Sequence, residues 1–309
     1  MLAGILYHYY KTKIKWIKFR RMFSVPRGQK VLDIGGGDGP FPRADVICEK
    51  FVSDNSERTN PIFAEQPLVV GDIENLPFAD KSFDFVYCSH ILEHVQNPES
   101  AVNEIVRIGK RGYIEVPSEY LETTATSTPA HLWTIRKAED GTLIFRKKVS
   151  GQIQPHVDDI FRNFLWGKDK SYMAFHWKNF YTLFNIGILW EKAIPIRVEK
   201  PSSETKEGGF NKGTVDSLDQ IEKSLSGISA SRQALFDPRR LLKKLIQKFF
   251  TDSRSRLWLN NHLACPICKS PLKKEEINNL ACPKCQGLYP VIRSVPLLLK
   301  EYFQKKPLK

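Results

Sequence analysis

The sequence lacks any apolar run of about 18 residues, the length that indicates a membrane-spanning helix. It also lacks the start of a secretory signal, in which basic residues precede an apolar stretch, because MLAGILYHYY is apolar first and its charges follow. We find no internal repeat. These absences predict a cytoplasmic protein, either in solution or peripheral to a membrane.

Acidic residues are missing from one end of the chain and scarce at the other. Residues 1–30 contain eight Lys or Arg and no Asp or Glu, and residues 236–309 contain sixteen basic residues against five acidic ones. Because the whole chain carries a net charge of +13, residues 31–235 carry −6. The two basic ends are therefore the parts predicted to contact a polyanion such as RNA or an anionic membrane.

Cysteine is scarce as well, and most of it is clustered. Of the six cysteines, Cys265 and Cys268 form one C-x-x-C pair, and Cys282 and Cys285 form a second pair; thirteen residues separate the two pairs. Each pair can present two thiolates from one tight turn to a tetrahedral Zn(II). Disulfides are the alternative, which a reducing compartment disfavours. So small a module has little apolar core, so the metal is predicted to stabilise its fold.

Short apolar runs closed by Gly, Asp, Ser or Pro follow one another from residue 30 onward. They predict strands over 30–34, 46–51, 68–70, 83–88 and 113–116. Between the last two, NPESAVNEIVRIGKRG has an N-cap asparagine, a proline at the first helical position and apolar residues at helical spacing. The alternation predicts an α/β fold with a Rossmann-like parallel sheet.

A glycine-rich turn follows the first predicted strand. In VLDIGGGDG, residues 31–39, the strand ends near Asp33 and is followed by Gly35, Gly36, Gly37 and Gly39. Glycines let a backbone turn sharply and approach a ligand closely, and the carboxyl edge of such sheets binds nucleotides. A nucleotide cofactor site is predicted here, although a purely structural turn or an NAD site would have a similar sequence.

This stretch resembles motif I of class I S-adenosylmethionine-dependent methyltransferases. The family pattern is an acidic residue followed by G-x-G-x-G, matched by Asp33, Gly35, Gly37 and Gly39. The resemblance implies that the cofactor is S-adenosylmethionine. It also implies that Glu49, at the end of the second strand, accepts hydrogen bonds from both ribose hydroxyls.

The loop GDIENLPF, residues 71–78, looks like the segment that follows the third strand in the same family. The resemblance implies that Asp72 holds the adenine amino group and that the backbone near Ile73 borders the adenine ring. One departure lies earlier in the chain. Only eleven residues separate Ile34 from Val46, too few for the usual helical crossover, so the family's first helix is predicted to be missing or reduced to a turn.

The sequence after the fourth strand contains the candidate catalytic residues. In this family the corresponding residues face the transferred methyl, which implies that Ser89 contacts the cofactor or substrate and that His90 is the candidate general base. The alternative is that His90 only caps a helix or borders the cofactor. His90, Glu93 and His94 also spell H-x-x-E-H, which on a helix is the layout of inverted zinc peptidases. A peptidase is kept as a remote alternative.

The C-terminal residues resemble the small zinc-ribbon activators that partner tRNA, rRNA and translation-factor methyltransferases. The match consists of the four clustered cysteines, Tyr289-Pro290 and the run Val295-Pro296-Leu297-Leu298. The resemblance implies that the ribbon stabilises a methyltransferase by pairing with the edge of its sheet. Here it would do so within one chain, with a structural zinc remote from the reaction.

The predicted organisation has five parts. They are a basic N-terminal segment (1–27), a methyltransferase domain (28–199) with a substrate-side insertion (120–190), a linker (200–235), a basic amphipathic helix (236–262) and a zinc ribbon (263–302). Within the insertion, Asp140-Gly141 predicts a β-hairpin over residues 131–148. The insertion also supplies candidate pocket residues, namely His131, Trp133, His156, His176 and Trp177.

The predicted function is methyl transfer from S-adenosylmethionine to an acceptor that the sequence does not identify. RNA or a protein is favoured by the ribbon resemblance and the basic ends. A glycan or lipid intermediate at a membrane surface is one alternative, and a non-catalytic scaffold or binding module is another. Affinity for the cofactor distinguishes the enzyme from the scaffold.

Overall fold

The computed structural model describes residues 23, 25–26, 28–55, 58, 61–62, 64, 66–124, 130–148, 179–199, 215–230, 255–275 and 278–305. By its contacts the chain divides into two compact units: a first unit of residues 1–87, 104–112 and 215–309, and a second unit of residues 88–103 and 113–214. Some predictions fall outside the described residues. These are most of the basic N-terminal segment, the basic helix up to residue 254, and His156, His176 and Trp177.

Five strands lie within two residues of their predicted limits, which confirms the α/β prediction. They are β1 (Val31–Ile34), β2 (Val46–Glu49), β3 (Leu68–Gly71), β4 (Phe85–Ser89) and β5 (Arg111–Pro117). β2 pairs in parallel with both β1 and β3. All residues of β1, β2 and β3 are buried, as expected for parallel strands covered on both faces.

No helix connects β1 to β2, as the short spacing predicts; residues 35–45 form turns and bends. The predicted helix after β4 is present as α1 (Pro98–Ile108). Its first turn is capped by Asn97, whose side-chain oxygen accepts a hydrogen bond from Ser100 N at 3.0 Å.

The segment between β4 and α1 is not helical, which corrects the prediction for H-x-x-E-H. His90 has φ = +57°, in the left-handed region, and His94 N closes a turn on Ile91 O at 3.0 Å. The helix begins only at Pro98, because a proline disfavours the helical conformation of the residue before it. His90, Glu93 and His94 therefore do not lie on one helical face, and the peptidase layout is absent.

The second unit contains a small separate sheet. The elements of this unit that follow β5 are α2 (Glu119–Thr124), β6 (Trp133–Lys137), β7 (Leu143–Lys147), α3 (Tyr181–Phe184), β8 (Asn185–Glu191) and β9 (Ile196–Glu199). β6 and β7 form the predicted hairpin, and Gly141 in its turn has φ = +88°. β7 also pairs in parallel with β9, so the order is β6-β7-β9. β8 neighbours β5.

The segment predicted as a linker contains helix α4 (Leu218–Ala230). Its start is a capping box that the sequence analysis missed. Ser217 Oγ accepts from Gln220 N at 3.2 Å, and the Gln220 side chain accepts from Ser217 N at 2.8 Å. Ile221 and Leu225, one helical turn apart, are buried. The helix forms because these two apolar side chains have a core to pack against, which the polar local composition conceals.

The C-terminal part of the first unit extends the parallel sheet. It comprises α5 (Ser255–Asn260), β10 (Lys273–Glu275), β11 (Asn279–Cys282), β12 (Gly287–Ile292), β13 (Val295–Leu298) and β14 (Gln304–Lys305). β10 to β13 pair antiparallel in succession, and β14 pairs with β12. β13 then pairs in parallel with β3, with Leu297 opposite Val70 and Leu298 opposite Gly71. We call residues 263–302 the cysteine module.

One apolar core joins the cysteine module to the parallel sheet. Ile47 and Val70 of the sheet, Ile221 of α4, and Leu297 and Tyr302 of the module belong to the same buried cluster. Backbone hydrogen bonds add to the attachment, from Ala79 N to His262 O and from Ala264 N to Pro77 O, each at 2.9 Å.

Among the helices in the described part of the chain, none has both the length and the apolarity that a membrane span requires.

Candidate cofactor and metal sites

The glycine-rich loop is tightly folded against the end of β1. Gly35 and Gly37 have φ of +72° and +54°, which favours glycine at both positions. A Cβ on Gly36 would lie 2.6 Å from Asp33 Oδ2, so even alanine would collide with that carboxylate. The Asp33 carboxylate in turn accepts from Phe41 N at 2.6 Å, at the far side of the loop.

Two buried carboxylates hold this loop. Besides Asp33, Glu49 at the end of β2 accepts a hydrogen bond from Gly37 N at 2.5 Å, and its Oε2 lies 3.9 Å from Arg58 Nη1. Burial raises the pKa of Asp33 to about 7, against the opposing effect of the Phe41 hydrogen bond. Burial likewise raises the pKa of Glu49 to about 7, although Gly37 and Arg58 favour the charged form. Both groups therefore titrate near neutral pH.

Asp72 and Ile73 follow β3, the strand next to β2. Asp72 caps the 3₁₀ turn Ile73–Asn75 by accepting from Glu74 N at 2.9 Å, and its other oxygen lies 2.8 Å from Lys50 Nζ. Ile73 is buried. The first unit thus joins the glycine loop to Asp33 of β1 and Glu49 of β2 by hydrogen bonds. Asp72 lies after β3, which is next to β2 and two strands from β1.

A polar cluster in the second unit centres on Glu115 of β5, which the sequence analysis did not single out. Its buried carboxylate accepts from Tyr181 OH at 2.6 Å, Tyr113 OH at 2.7 Å and Ser89 Oγ at 3.2 Å. Burial opposes ionisation of Glu115, but His90, Tyr181 and Tyr113 outweigh it and lower its pKa. The available sequence signal was a glutamate inside the apolar run YIEV, since a buried charge requires partners.

His90 lies between two carboxylates. Its Nδ1 is 3.3 Å from Glu93 Oε1, its Nε2 is 3.6 Å from Glu115 Oε1, and its backbone N donates to Glu115 O at 2.9 Å. Burial lowers the pKa of His90, but its contacts with the carboxylates of Glu115 and Glu93 outweigh that effect and raise the pKa to about 10. With this pKa the imidazole keeps its proton at neutral pH and pairs with the two carboxylates, which disfavours the predicted role of general base.

The four clustered cysteines come together in the cysteine module. Cys265 Sγ lies 3.9 Å from Cys285 Sγ, and Cys268 Sγ lies 3.5 Å from Cys282 Sγ; all four sulfurs are within 4.8 Å of one another. All are free thiols. Four sulfurs around a tetrahedral Zn(II) with bonds of about 2.3 Å are about 3.8 Å apart, so the arrangement fits that ion. Burial and the neighbouring cysteines raise the pKa of Cys285, an effect that a bound cation would reverse.

Comparison with known proteins places the glycine loop and strands β1 to β4 in a recognised domain. Residues 32–114 match the family model described as a methyltransferase domain. Demethylmenaquinone methyltransferases from Paenarthrobacter aurescens and Renibacterium salmoninarum are each 36% identical over 106 and 110 residues, respectively. Those alignments cover 31% and 33% of this chain and 41% and 45% of the relatives. Residues 32–114 are thus similar to a methyltransferase domain, and the chain spans less than half the length of these relatives.

Solved structures give similarities of lower sequence identity. One chain of the complex between the Haloferax volcanii Trm112 methyltransferase activator and its methyltransferase partner is 25% identical to this chain. The alignment covers 31% of this chain and 47% of that chain, with a TM-score of 0.24. An S-adenosylmethionine-dependent methyltransferase from Mesorhizobium loti is 17% identical, with 43% and 64% covered and a TM-score of 0.27.

Proposed function

We propose that this chain is an S-adenosylmethionine-dependent methyltransferase whose first unit binds the cofactor. The hydrogen bond from Gly37 N to Glu49 is the observation that carries the proposal, because it holds a buried carboxylate against the glycine turn within the matched methyltransferase segment. In this proposal Oε2 of Glu49, which faces Arg58, accepts from a ribose hydroxyl. Asp72 binds the adenine amino group in exchange for its contact with Lys50, and Ile73 borders the ring.

Calorimetry with S-adenosylmethionine and with its demethylated product, S-adenosylhomocysteine, tests this proposal. We expect both to bind the full chain, and Glu49→Gln to weaken both. Glu222→Gln, at an exposed position of α4, is the matched control and should bind as the wild type does. Failure of both ligands to bind would leave the non-catalytic scaffold as the better hypothesis.

On the acceptor side, we assign Ser89, His90 and Glu115 a positioning role. Methyl transfer is an in-line displacement, in which orientation of the acceptor supplies much of the rate. The protonated His90 donates to an acceptor oxygen, and Glu115, which contacts both His90 and Ser89, holds the two side chains in place. In this proposal His90 positions the acceptor and does not act as the base, so the acceptor is one whose nucleophilic atom needs little deprotonation or obtains it elsewhere.

For the acceptor class we favour a small, largely apolar molecule over RNA or protein. The curated relatives named above are demethylmenaquinone methyltransferases. Consistent with an apolar ligand, the second unit exposes several large apolar side chains around α2, α3 and β8, namely Tyr120, Phe180, Leu183 and Leu189. Incubating cell extract with the enzyme and a methyl-labelled donor should place the label in the organic-solvent phase. Label in RNA or protein would reverse the preference.

We further propose that the cysteine module holds one structural Zn(II) through Cys265, Cys268, Cys282 and Cys285. Four thiolates fill a tetrahedral shell, so no position is left for water or substrate. The metal would contribute stability to the module and, through the pairing of β13 with β3, to the sheet that carries the glycine loop.

A further inference from the structure

The second unit contains a cluster of metal-ligating side chains distinct from the cysteine module. One donor atom from each of Glu93, His94 and His131 lies within 4.8 Å of the others. Glu93 and His94 occupy the turn after β4, and His131 precedes β6, so residues far apart in sequence converge. The His94 and His131 rings meet edge to face, with centroids 4.6 Å apart.

Glu93 has the surroundings expected of a ligand. Its side chain is 0% exposed, and within the described residues neither carboxylate oxygen accepts a hydrogen bond. The histidine nitrogens that face it are His90 Nδ1 at 3.3 Å and His94 Nε2 at 3.9 Å. A buried carboxylate without hydrogen bonds is costly, and a bound cation removes that cost.

The two histidines are oriented as metal ligands are. His94 Nδ1 lies 3.1 Å from Ala130 O and, because a carbonyl only accepts, this nitrogen carries a proton and leaves Nε2 towards Glu93. His131 Nδ1 lies 2.5 Å from Glu122 Oε1, and Glu122 is also bonded to Lys148 Nζ. Ligand histidines commonly donate their other ring nitrogen to a carbonyl or a carboxylate in this way.

We infer that Glu93, His94 and His131 form a binding site for one divalent first-row transition-metal ion. Two imidazoles and one carboxylate are a donor set that suits such ions and leaves coordination positions open to water or to an oxygen of a small molecule. Bonds of about 2.1 Å place neighbouring donors about 3 Å apart, so binding requires the side chains to draw together from their present separation. The inference does not depend on methyltransferase activity.

Cobalt(II) titration of the full chain, loaded with only one zinc per chain so that the cysteine module alone is filled, tests the site. Cobalt bound to nitrogen and oxygen gives visible d–d bands without the near-ultraviolet sulfur charge-transfer bands that the cysteine module would produce. We expect one cobalt per chain with this spectrum. Glu93→Gln and His131→Asn should abolish it. Glu122→Gln removes the negative charge beside His131 and Lys148 and should weaken binding by ~10–100-fold. His262→Asn, a histidine of the first unit, is the control and should retain it.

Thermal melting keeps the result independent of misfolding. Cobalt should raise the melting temperature of the wild type and not that of His131→Asn, and each variant should melt cooperatively without metal. The inference would be overturned if the zinc-loaded wild type bound no cobalt, or if folded Glu93→Gln and His131→Asn bound it as tightly as the wild type. Glu93 would then serve only as the ion-pair partner of His90.

Discussion

Lys269 Nζ of the cysteine module donates to Glu104 Oε2 of α1 at 2.6 Å, across 165 positions of sequence, and approaches Leu76 O at 3.3 Å. Arg107 binds the other oxygen of the same carboxylate at 2.7 Å. Glu104 is therefore shared between its own helix and the module. With the pairing of β13 and β3, this contact makes the module part of the first unit.

Replacing Lys269 with alanine tests that attachment. Lys269 is about one-third exposed and Glu104 is mostly buried, so the loss should be about 1 kcal/mol, less than a fully buried charged hydrogen bond contributes. Chemical denaturation of the full chain measures it. Lys284→Ala removes an exposed lysine of the same module and should change the free energy of unfolding by less. Equal effects of the two variants would show that the contact with Glu104 contributes nothing.

Replacing Cys282 with serine tests the proposed zinc site. We expect the purified wild type to contain one zinc per chain at the four cysteines, and the variant to lose it, because three thiolates and a hydroxyl bind the ion far more weakly. Since β13 covers the edge of β3, loss of the module should also lower the melting temperature of the first unit. Elemental analysis and calorimetric melting are the measurements.

Cys88→Ala is the control for that experiment, because Cys88 is a buried cysteine outside the cluster and should leave the zinc content unchanged. A freshly purified wild-type protein that contains no zinc would contradict the site. An unchanged melting temperature in zinc-free Cys282→Ser would contradict only the stabilisation of the sheet.

Binding of S-adenosylhomocysteine should depend on pH through Glu49. The pKa of this carboxyl is raised to about 7 in the free protein, and only the carboxylate can accept from both ribose hydroxyls. Because the ligand binds the ionised form of Glu49, a higher pH favours binding. The affinity should therefore strengthen as the pH rises from about 6 to about 8. Glu49→Gln should bind ~10–100-fold more weakly at the upper pH, for the loss of charge-assisted hydrogen bonds, and its pH dependence should be reduced. A wild-type affinity that is constant over this range would contradict the role of Glu49.

Helix α4 can be tested through Ile221. This side chain is fully buried against the sheet and the cysteine module, so Ile221→Ala should reduce the free energy of unfolding by about 2–5 kcal/mol. Glu222→Ala, at the neighbouring exposed position, should change it by less than about 0.5 kcal/mol. If the two variants were equally stable, residues 218–230 would behave as the linker that their composition predicts.

The strands, α1 and the hairpin were predictable because their signals are local. Buried parallel strands appear as continuous apolar runs, Asn97-Pro98 marks a helix start, and Asp140-Gly141 marks a tight turn. The absence of a crossover helix between β1 and β2 followed from the eleven-residue spacing between them alone. Helix α4 had a local signal too, the Ser217–Gln220 capping box, but its surroundings were polar enough to conceal it.

The candidate sites were predictable only where a motif is contiguous. The glycine turn and the two C-x-x-C pairs carry their geometry within a few residues. Glu115 and His131 do not, because a buried carboxylate acquires its partners, and a histidine its neighbours, from strands and turns distant in sequence. The role of His90 depends on its pKa, which two carboxylates influence whose positions no local pattern specifies.

By itself, the sequence determined the α/β class, the tight glycine loop and the presence of two cysteine pairs, since each depends on backbone conformation over a few neighbouring residues. Tertiary structure decided that β13 pairs with β3, that Glu49 closes on Gly37, and that Glu93 meets His94 and His131. Such long-range contacts are selected by the total burial of apolar surface and the satisfaction of buried charge. Both are properties of the folded chain as a whole and leave no trace in a short segment.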